Sequence, residues 1–540
     1  MRKPRLSVLT SILCALTVAF TGCFNRETNV DRGNRDKVLH RGTGPTLADL
    51  DPHLATGTDH YTVLSALFEG LVGEDPVDLH PVPGVAERWE LSPDRLTYTF
   101  YLRSTAKWSN GEPVTAQDFV ASWQRALTPS LGADYANLLY VIAGAEAYHK
   151  GDTTDFSTVG ITASGARTLR VTLEYPTPHF LSMLQHWMFY PVHLESIRTV
   201  GPTDRRGTPW ARPGKLVCNG PFILDSWRAG ERIVVTKNPE YWDAATVKLE
   251  AIHFHPFQSV DAEERAFRAG QLHVTDAVPI AKIPAYHRDS PELLRIDPYL
   301  GTYFYRINVR RPFLNEAKVR RALALALDRA SLVEQILQGG QSPSGGFVPP
   351  GIPGYAASKV LEYNPDEARR LLAEAGYPEG RGAPPVELIF NTSENHRIVA
   401  EAMQAMWAKE LGIHASLRNM ENTSVLESRR AGDYELLRSV WIADYIDPSS
   451  FLDVWRSDSG NNHTGWASDS YDALLDEAAR TGDNTARLNL LRRAETLLLE
   501  QVPFVPVYHF THVFLIRPSV RGWHPTLLDH HPYKHVDLVP

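Results

Sequence analysis

Arg438 and Asp444 are the residues whose types and spacing point most directly to chemistry in this chain. They lie six positions apart in the run Arg438 to Phe451 (RSVWIADYIDPSSF), with Trp441 midway between them. In an extended run an even separation puts both charges on one face. Six strand steps cover about 20 Å, and a fully extended tripeptide spans about 10 Å from end to end. The two side chains, reaching inward, take up much of the difference. Asp444 suits an ammonium and Arg438 a carboxylate, with the backbone between them free to pair with a ligand. The pattern is a template for a zwitterionic peptide. An ordinary strand with two surface charges has the same spacing.

The elements that must position this run alternate between helix and strand. Leu96, Tyr98, Phe100 and Leu102 alternate with Thr97, Thr99 and Tyr101, a strand with one buried face. Thr115 and Asp118 form a capping-box pattern ahead of a helix carrying Phe119, Trp123 and Leu127. Leu169, Val171 and Leu173 mark another strand. Asn315 is placed to cap a helix with Val319, Leu323 and Leu327. Asn364-Pro365 through Gly376-Tyr377-Pro378 is a helix with start and stop signals at both ends. Gln338 to Gly354, rich in Gly and Pro, reads as a loop. No internal repeat or low-complexity block stands out. At 540 residues the chain exceeds a single core, so two or three α/β domains are expected.

The N-terminus has the form of a leader. Arg2, Lys3 and Arg5 precede an apolar stretch, Leu6 to Phe20, that is too short and too interrupted to span a bilayer. Phe20-Thr21-Gly22-Cys23 resembles a lipobox, with Phe20 where Leu is commoner, so Cys23 is the expected lipidation site. An ordinary secretory leader is the alternative, but no good A-x-A cleavage site is present. Acyl chains on Cys23 would hold the protein at a membrane, each buried CH₂ contributing about 0.8 kcal/mol. Asn25 to Lys37 is polar with alternating charge and reads as a tether.

Of the 3 cysteines, only Cys218 would then remain, so no internal disulfide is expected. The 55 basic and 63 acidic residues leave an acidic body, which argues against nonspecific nucleic-acid binding.

Several segments, taken in order, resemble the large peptide-binding proteins of bacterial ABC importers, the extracellular solute-binding family 5. They are Leu50-Asp51-Pro52-His53, Leu67-Phe68-Glu69-Gly70, Gly84 to Trp89, Lys107 to Gly111 and Pro113 to Arg125. Asn219 to Phe222, Asn238 to Trp242, Val319 to Arg329 and Trp441 to Phe451 follow. The oligopeptide-binding branch is the most similar.

The resemblance implies an α/β two-lobed periplasmic-binding-protein clamshell (class II-like, large cluster) with an extra third domain. Residues 1–22 would be the lipoprotein signal peptide and 23–38 the lipidated Cys and tether. Domain I would combine 39–69, 207–300 and 511–540; domain II would be 70–206, and domain III 301–510. Such lobes close about a hinge on a ligand. An extended peptide of about two to five residues adds main-chain hydrogen bonds to the protein's strands, so its side chains are tolerated broadly. The implied partners are short peptides and the permease and ATPase of an importer. The implied protein is an exported monomer at the periplasm or outer cell face, without a cofactor or resident metal, and not an enzyme.

Carried over residue by residue, the resemblance implies that Asp444 accepts the ligand ammonium and that Arg438 meets a tripeptide carboxylate. His396 matches the position at a longer peptide's end. Tyr135 matches an aromatic near the ligand's amino terminus, and Trp441 lines a side-chain pocket. Val440 to Ile442 and Thr56, Gly57 and Thr58 match strands that pair with the ligand backbone.

Departures from the family pattern fall within the same set. A lysine that meets a dipeptide carboxylate aligns with Leu337. A pocket tryptophan aligns with Asn422, a tyrosine near the hinge with Phe510, and an acidic residue with Thr56. A cysteine pair aligns with Gly301 and Ile442. Tri- and tetrapeptides are therefore expected to bind better than dipeptides.

Three rival readings remain. An exported hydrolase is one, but no H-E-x-x-H, G-x-S-x-G or phosphate loop is present. Metal or haem capture is another, with His253, His255, His524, His530, His531 and His535 as candidate ligands. The third is a muropeptide receptor on the same scaffold.

Overall fold

Alternation of apolar residues and well-capped helices build three larger sheets, each with its own core. The computed structural model describes residues 27–44, 47 and 49–540. Cys23 and the leader lie outside these residues.

The first sheet has four strands, in the order Val38–Thr43, Ala251–Pro256, Arg232–Lys237 and Phe222–Arg228. Its first pair is parallel although more than two hundred residues of chain separate the two strands. The core beside it takes Leu39, Phe68, Phe254, Phe514, Tyr533 and Leu538, so both ends of the chain close it.

The second sheet orders Ala86–Leu91, Thr97–Leu102, Thr168–Thr172 and Ile161–Ala163. Tyr98, Phe100 and Leu102 are buried as their alternation predicts, while Thr97, Thr99 and Tyr101 are half-buried. The helix Ala116–Leu127 packs on this sheet, and Thr115 and Asp118 form a reciprocal capping box at its start. Phe119, Trp123 and Leu127 are fully buried. Burial of a side chain such as Phe119 contributes about 1.5–3 kcal/mol.

The third sheet has six strands. Its order is Ser342–Pro343, Phe504–Leu515, Leu294–Ile307, Leu436–Ile442, Val386–Asn391 and Ala415–Met420. Two of these strands, Leu294–Ile307 and Phe504–Leu515, are long and antiparallel to each other. Tyr303 to Ile307 and Phe504 to Tyr508 lie in the largest core. Leu294 and Leu515 lie in a small separate core with Phe267 and Ile283, and Phe514 belongs to the first core. The pair thus runs from one lobe into the other. Its register shifts between Pro298 and Thr302, and a shift of this kind bends and twists the strand locally.

Three expectations are corrected. The stretch 23–38 is not a tether over its second half, because Asn29–Asp36 is a helix capped by Thr28 and Asp31. Val30 and Gly33 are buried there, and a Cβ on Gly33 would collide with the Val38 carbonyl and the His273 ring. Lys37 Nζ closes the segment onto Asp537 at 2.7 Å. Its two buried positions lie three apart on one face of an otherwise polar helix, and docking through that face stabilises it. Asn315 does not cap its helix, which spans Ala317–Leu325 behind Glu316 without a side-chain cap. Thr56–Thr58 is not a strand, since Gly57 is the extended residue before the helix Thr58–Leu67.

The helix Pro365–Glu374 starts at Asn364 as expected, and Gly376 follows it with φ of +96°. Cys218 is buried and unbridged.

Candidate functional site

A cleft of about 1090 Å³ lies between the lobes. Thr56, Gly57, Thr58 and His530 line it from the first core's side, Tyr135, His179 and Tyr445 from the second, and Val440 to Asp444 from the third. Asp444, Trp441, Val440, Ile442, Tyr135 and Thr56 to Thr58 are thus brought together. Arg438, His396 and Phe510 do not line this cleft and form a cluster of their own.

The strand Leu436–Ile442 presents an open edge to the cleft. On one side it pairs with Leu294–Ile307 along its whole length. On the other, Val386–Asn391 reaches only Leu436 and Leu437. The Ala443 N–H donates to the Leu300 carbonyl. Backbone direction alternates along a strand, so Val440 and Ile442 turn both of their main-chain groups to the open side.

Asp444 stands just past this strand. The ladder ends at Ile442, so Arg438 and Asp444 do not share one continuous extended face. The Asp444 N–H donates to Ser450 Oγ at 2.8 Å. Its side chain is 12 % exposed. Burial pushes the carboxyl up to about 7, against a hydrogen bond from Tyr135 that lowers it. No lysine or arginine among the described residues lies within ion-pair distance. The nearest imidazole is His186, with Nε2 at 3.9 Å, and burial drives that ring down to about 3. His186 is therefore neutral and does not supply the missing cation. Three residues on, Asp447 has the opposite setting. Burial opposes its ionisation too, but His179 and Arg487 outweigh it and hold the carboxyl down to about 2. Arg487 Nη1 donates to Asp447 at 2.9 Å. One buried carboxylate has its cation built in, and the other does not.

Arg438 is a cation with the complementary lack. Its guanidinium lies 4.7 Å from the centre of the Tyr303 ring, Nη1 donates to Asn391 Oδ1 at 3.3 Å, and buried Nε has no partner. No carboxylate among the described residues pairs with it. Tyr303 stacks on Tyr508 at 4.7 Å and approaches Phe510 at 6.1 Å. His396 Nδ1 lies 3.3 Å from the Tyr303 hydroxyl, and burial together with Arg438 drives that ring down to about 2. His396 is thus a neutral hydrogen-bonding group beside an uncompensated guanidinium.

The departures have clear places. Leu337 is fully buried in the largest core, so it presents no polar group to a ligand. Asn422 begins the helix Asn422–Ala431, exposed, and that helix carries Leu426, Arg429 and Arg430 to the cleft. Gly301 and Ile442 are direct cross-strand partners.

The tail histidines do not converge on a metal position. His530 Nδ1 bonds Glu74 at 2.6 Å, and His531 bonds Asp529 at 2.9 Å. Among the described residues, His253 and His255 do converge, on His40, a partner that sequence spacing does not reveal.

The comparisons decide the family. The family model described as "Bacterial extracellular solute-binding proteins, family 5 Middle" matches residues 80–463. This chain belongs to that family. As a family 5 solute-binding protein it has the two-lobed α/β clamshell with an added domain. The Periplasmic oligopeptide-binding protein OppA of Escherichia coli is 35 % identical over 90 % of each chain. The murein tripeptide binding protein MppA of Escherichia coli superposes with a TM-score of 0.84 at 32 % identity, covering 93 % of this chain and 98 % of its own. Haemophilus influenzae OppA in complex with RPPGFSPFR gives 0.84 at 29 % identity, covering 94 % and 99 %.

Proposed function

We propose that this family 5 protein is the substrate-binding lipoprotein of an ABC importer. It captures short peptides in extended form between its lobes and delivers them to a membrane permease. The observation that carries the reading is Asp444, a buried carboxylate without a cation, placed where the open edge of Leu436–Ile442 ends. An α-ammonium on Asp444 restores the missing charge. Val440 and Ile442 then add main-chain hydrogen bonds, whose strength does not depend on ligand side chains. Arg438, with His396 beside it, receives the carboxylate of a tripeptide or longer ligand once the lobes close. Tyr135 braces the ammonium end, Trp441 walls a side-chain pocket, and Thr56 to Thr58 face the ligand from the opposite lobe. Phe510 packs behind the Tyr303 cluster at the hinge.

Three cores support a division into lobes near that expected from the sequence. Trp187, Tyr190, Val192 and Ile197 join the first core while Met188 and Phe189 stay in the second, so the two cores meet along residues 187–197. The register shift between Pro298 and Thr302 is the proposed hinge. A lipid on Cys23 ties the exported protein to a membrane; Cys23→Ser should move it to the soluble fraction. Mass spectrometry of small molecules carried through purification tests the main reading. Peptides are expected, and recovery of only non-peptide solutes, together with no calorimetric response to Ala₃ or Ala₄, would overturn it.

A further inference from the structure

Outside the cleft, the parallel pairing of Val38–Thr43 with Ala251–Pro256 sets His40 directly opposite His253 and Gly42 opposite His255. Register partners in a parallel pair point to the same face, and so do residues two apart on one strand. Three imidazoles therefore share one face of the first sheet. His40 Nδ1 lies 3.0 Å from His255 Nε2, and one donor atom from each ring falls within 4.8 Å of the others. A tetrahedral zinc with bonds of about 2.0–2.1 Å separates its ligand atoms by about 3.3 Å. His40 Nδ1 and His255 Nε2 already stand near that spacing. His253 Nδ1 is buried with no hydrogen-bond partner, which a bound ion or a water must remedy.

The backbone that carries His40 is also held from behind, through its main-chain N–H. The His40 N–H donates to His273 Nδ1 at 2.9 Å, and His273 Nε2 lies 3.3 Å from Asn34 Oδ1 on the N-terminal helix. The charged neighbours acting on the cluster are Arg232, which opposes a cation, and Asp225, which favours one at His253.

We propose that His40, His253 and His255 form a binding site for a divalent transition metal, with zinc the best fit to three imidazoles and a fourth position left open. The site clamps the strand that begins the described fold onto one more than two hundred residues later. It does not rest on the peptide reading. Binding requires His40 Nδ1 and His255 Nε2 both to be free of their proton, which each ring then carries on its other nitrogen.

The test uses untagged full chain, stripped with a chelator and titrated with Zn²⁺ by calorimetry, with Co²⁺ spectra reporting ligand geometry. One zinc per chain, a tetrahedral Co²⁺ spectrum and a Tm that rises with zinc are expected. The double variant His253→Gln/His255→Gln should lower zinc affinity at least about tenfold for each ligand lost while leaving affinity for Ala₃ unchanged, which reports an intact fold. Equal zinc affinity in that variant overturns the proposal. So does loss of zinc in His80→Gln instead, which would place the ion at Asp75, Asp78 and His80, and so does the absence of any zinc binding to the parent chain.

Discussion

Nε2 of His186 stands 3.9 Å from Oδ1 of Asp444, yet the two are not an ion pair, because burial keeps the imidazole neutral. The carboxyl, raised to about 7 by the same burial, waits for a charge that none of the described residues provides.

The first prediction concerns pH. A bound ammonium favours the ionised carboxylate, so binding lowers the Asp444 pKa from about 7. Below pH 7 the ligand must displace a proton, and affinity should fall toward tenfold per pH unit. Above about pH 8 the peptide's own α-amino group loses its charge and affinity should fall again. Calorimetry of Ala₃ from pH 5 to 9 should trace this bell, with protons released on binding at pH 6. Asp444→Asn keeps the shape and should cost about 2–5 kcal/mol of binding, with the acid limb of the bell gone. A flat profile in the parent protein would sink the assignment.

Length dependence tests the other end of the site. Arg438→Ala should weaken Ala₃ more than Ala₄ or Ala₅, because a longer ligand places its carboxylate nearer His396. Ala₂ should be the weakest ligand of the parent protein, since Leu337 is buried and uncharged. Equal losses across lengths, or tightest binding of Ala₂, would refute this placement of the ligand carboxylate.

Gly301 and Ile442 share one space. A Cβ on Gly301 would overlap Cδ1 of Ile442 and press on Phe510 Cδ2 at 3.1 Å. Gly301→Ala should destabilise the protein by about 1–3 kcal/mol in denaturant titrations. Ile442→Val in the same chain should recover part of that loss, whereas additive costs would show that the two side chains do not meet.

The buried pair Asp447 and Arg487 should behave as a structural unit. Arg487→Met leaves a buried carboxylate uncompensated and should cost about 3–5 kcal/mol. Asp447 has its folded pKa depressed from 3.8 to about 2. Its contribution is therefore present above pH 3.8 and lost as pH falls from there toward 2. Acid unfolding curves of the parent and Arg487→Met should converge in that window.

Local signals in the sequence were informative where one element sufficed. The box of Thr115 and Asp118, the Asn364 cap and the alternation from Tyr98 to Leu102 all depend on neighbours within a few residues. The helix Asn29–Asp36 was hidden because its buried face holds only Val30 and Gly33, and its partners Gly270 and His273 lie far away in sequence. The even spacing of Arg438 and Asp444 was visible, but the end of the ladder at Ile442 was not, because it depends on where this strand parts from Leu294–Ile307, which itself runs on past Gly301. His40 could not be joined to His253 and His255 before the parallel register was known. Likewise, the charge imbalance at Asp444 is a matter of which side chain reaches which carboxylate: Asp447, three residues away, has Arg487 and His179 beside it.

The sealing of the first core by both ends of the chain has a consequence for the timing of synthesis. Leu39 and Phe254 emerge from the ribosome early, while Phe514, Tyr533 and Leu538 emerge last. Until then the parallel pair Val38–Thr43 and Ala251–Pro256 lacks part of the apolar surface that covers it, and long-range parallel pairing is slow in any case. A nascent chain of this protein therefore cannot close that lobe before Phe514 to Leu538 have emerged. Loss of even the last two dozen residues should leave the lobe that begins the molecule unable to finish folding.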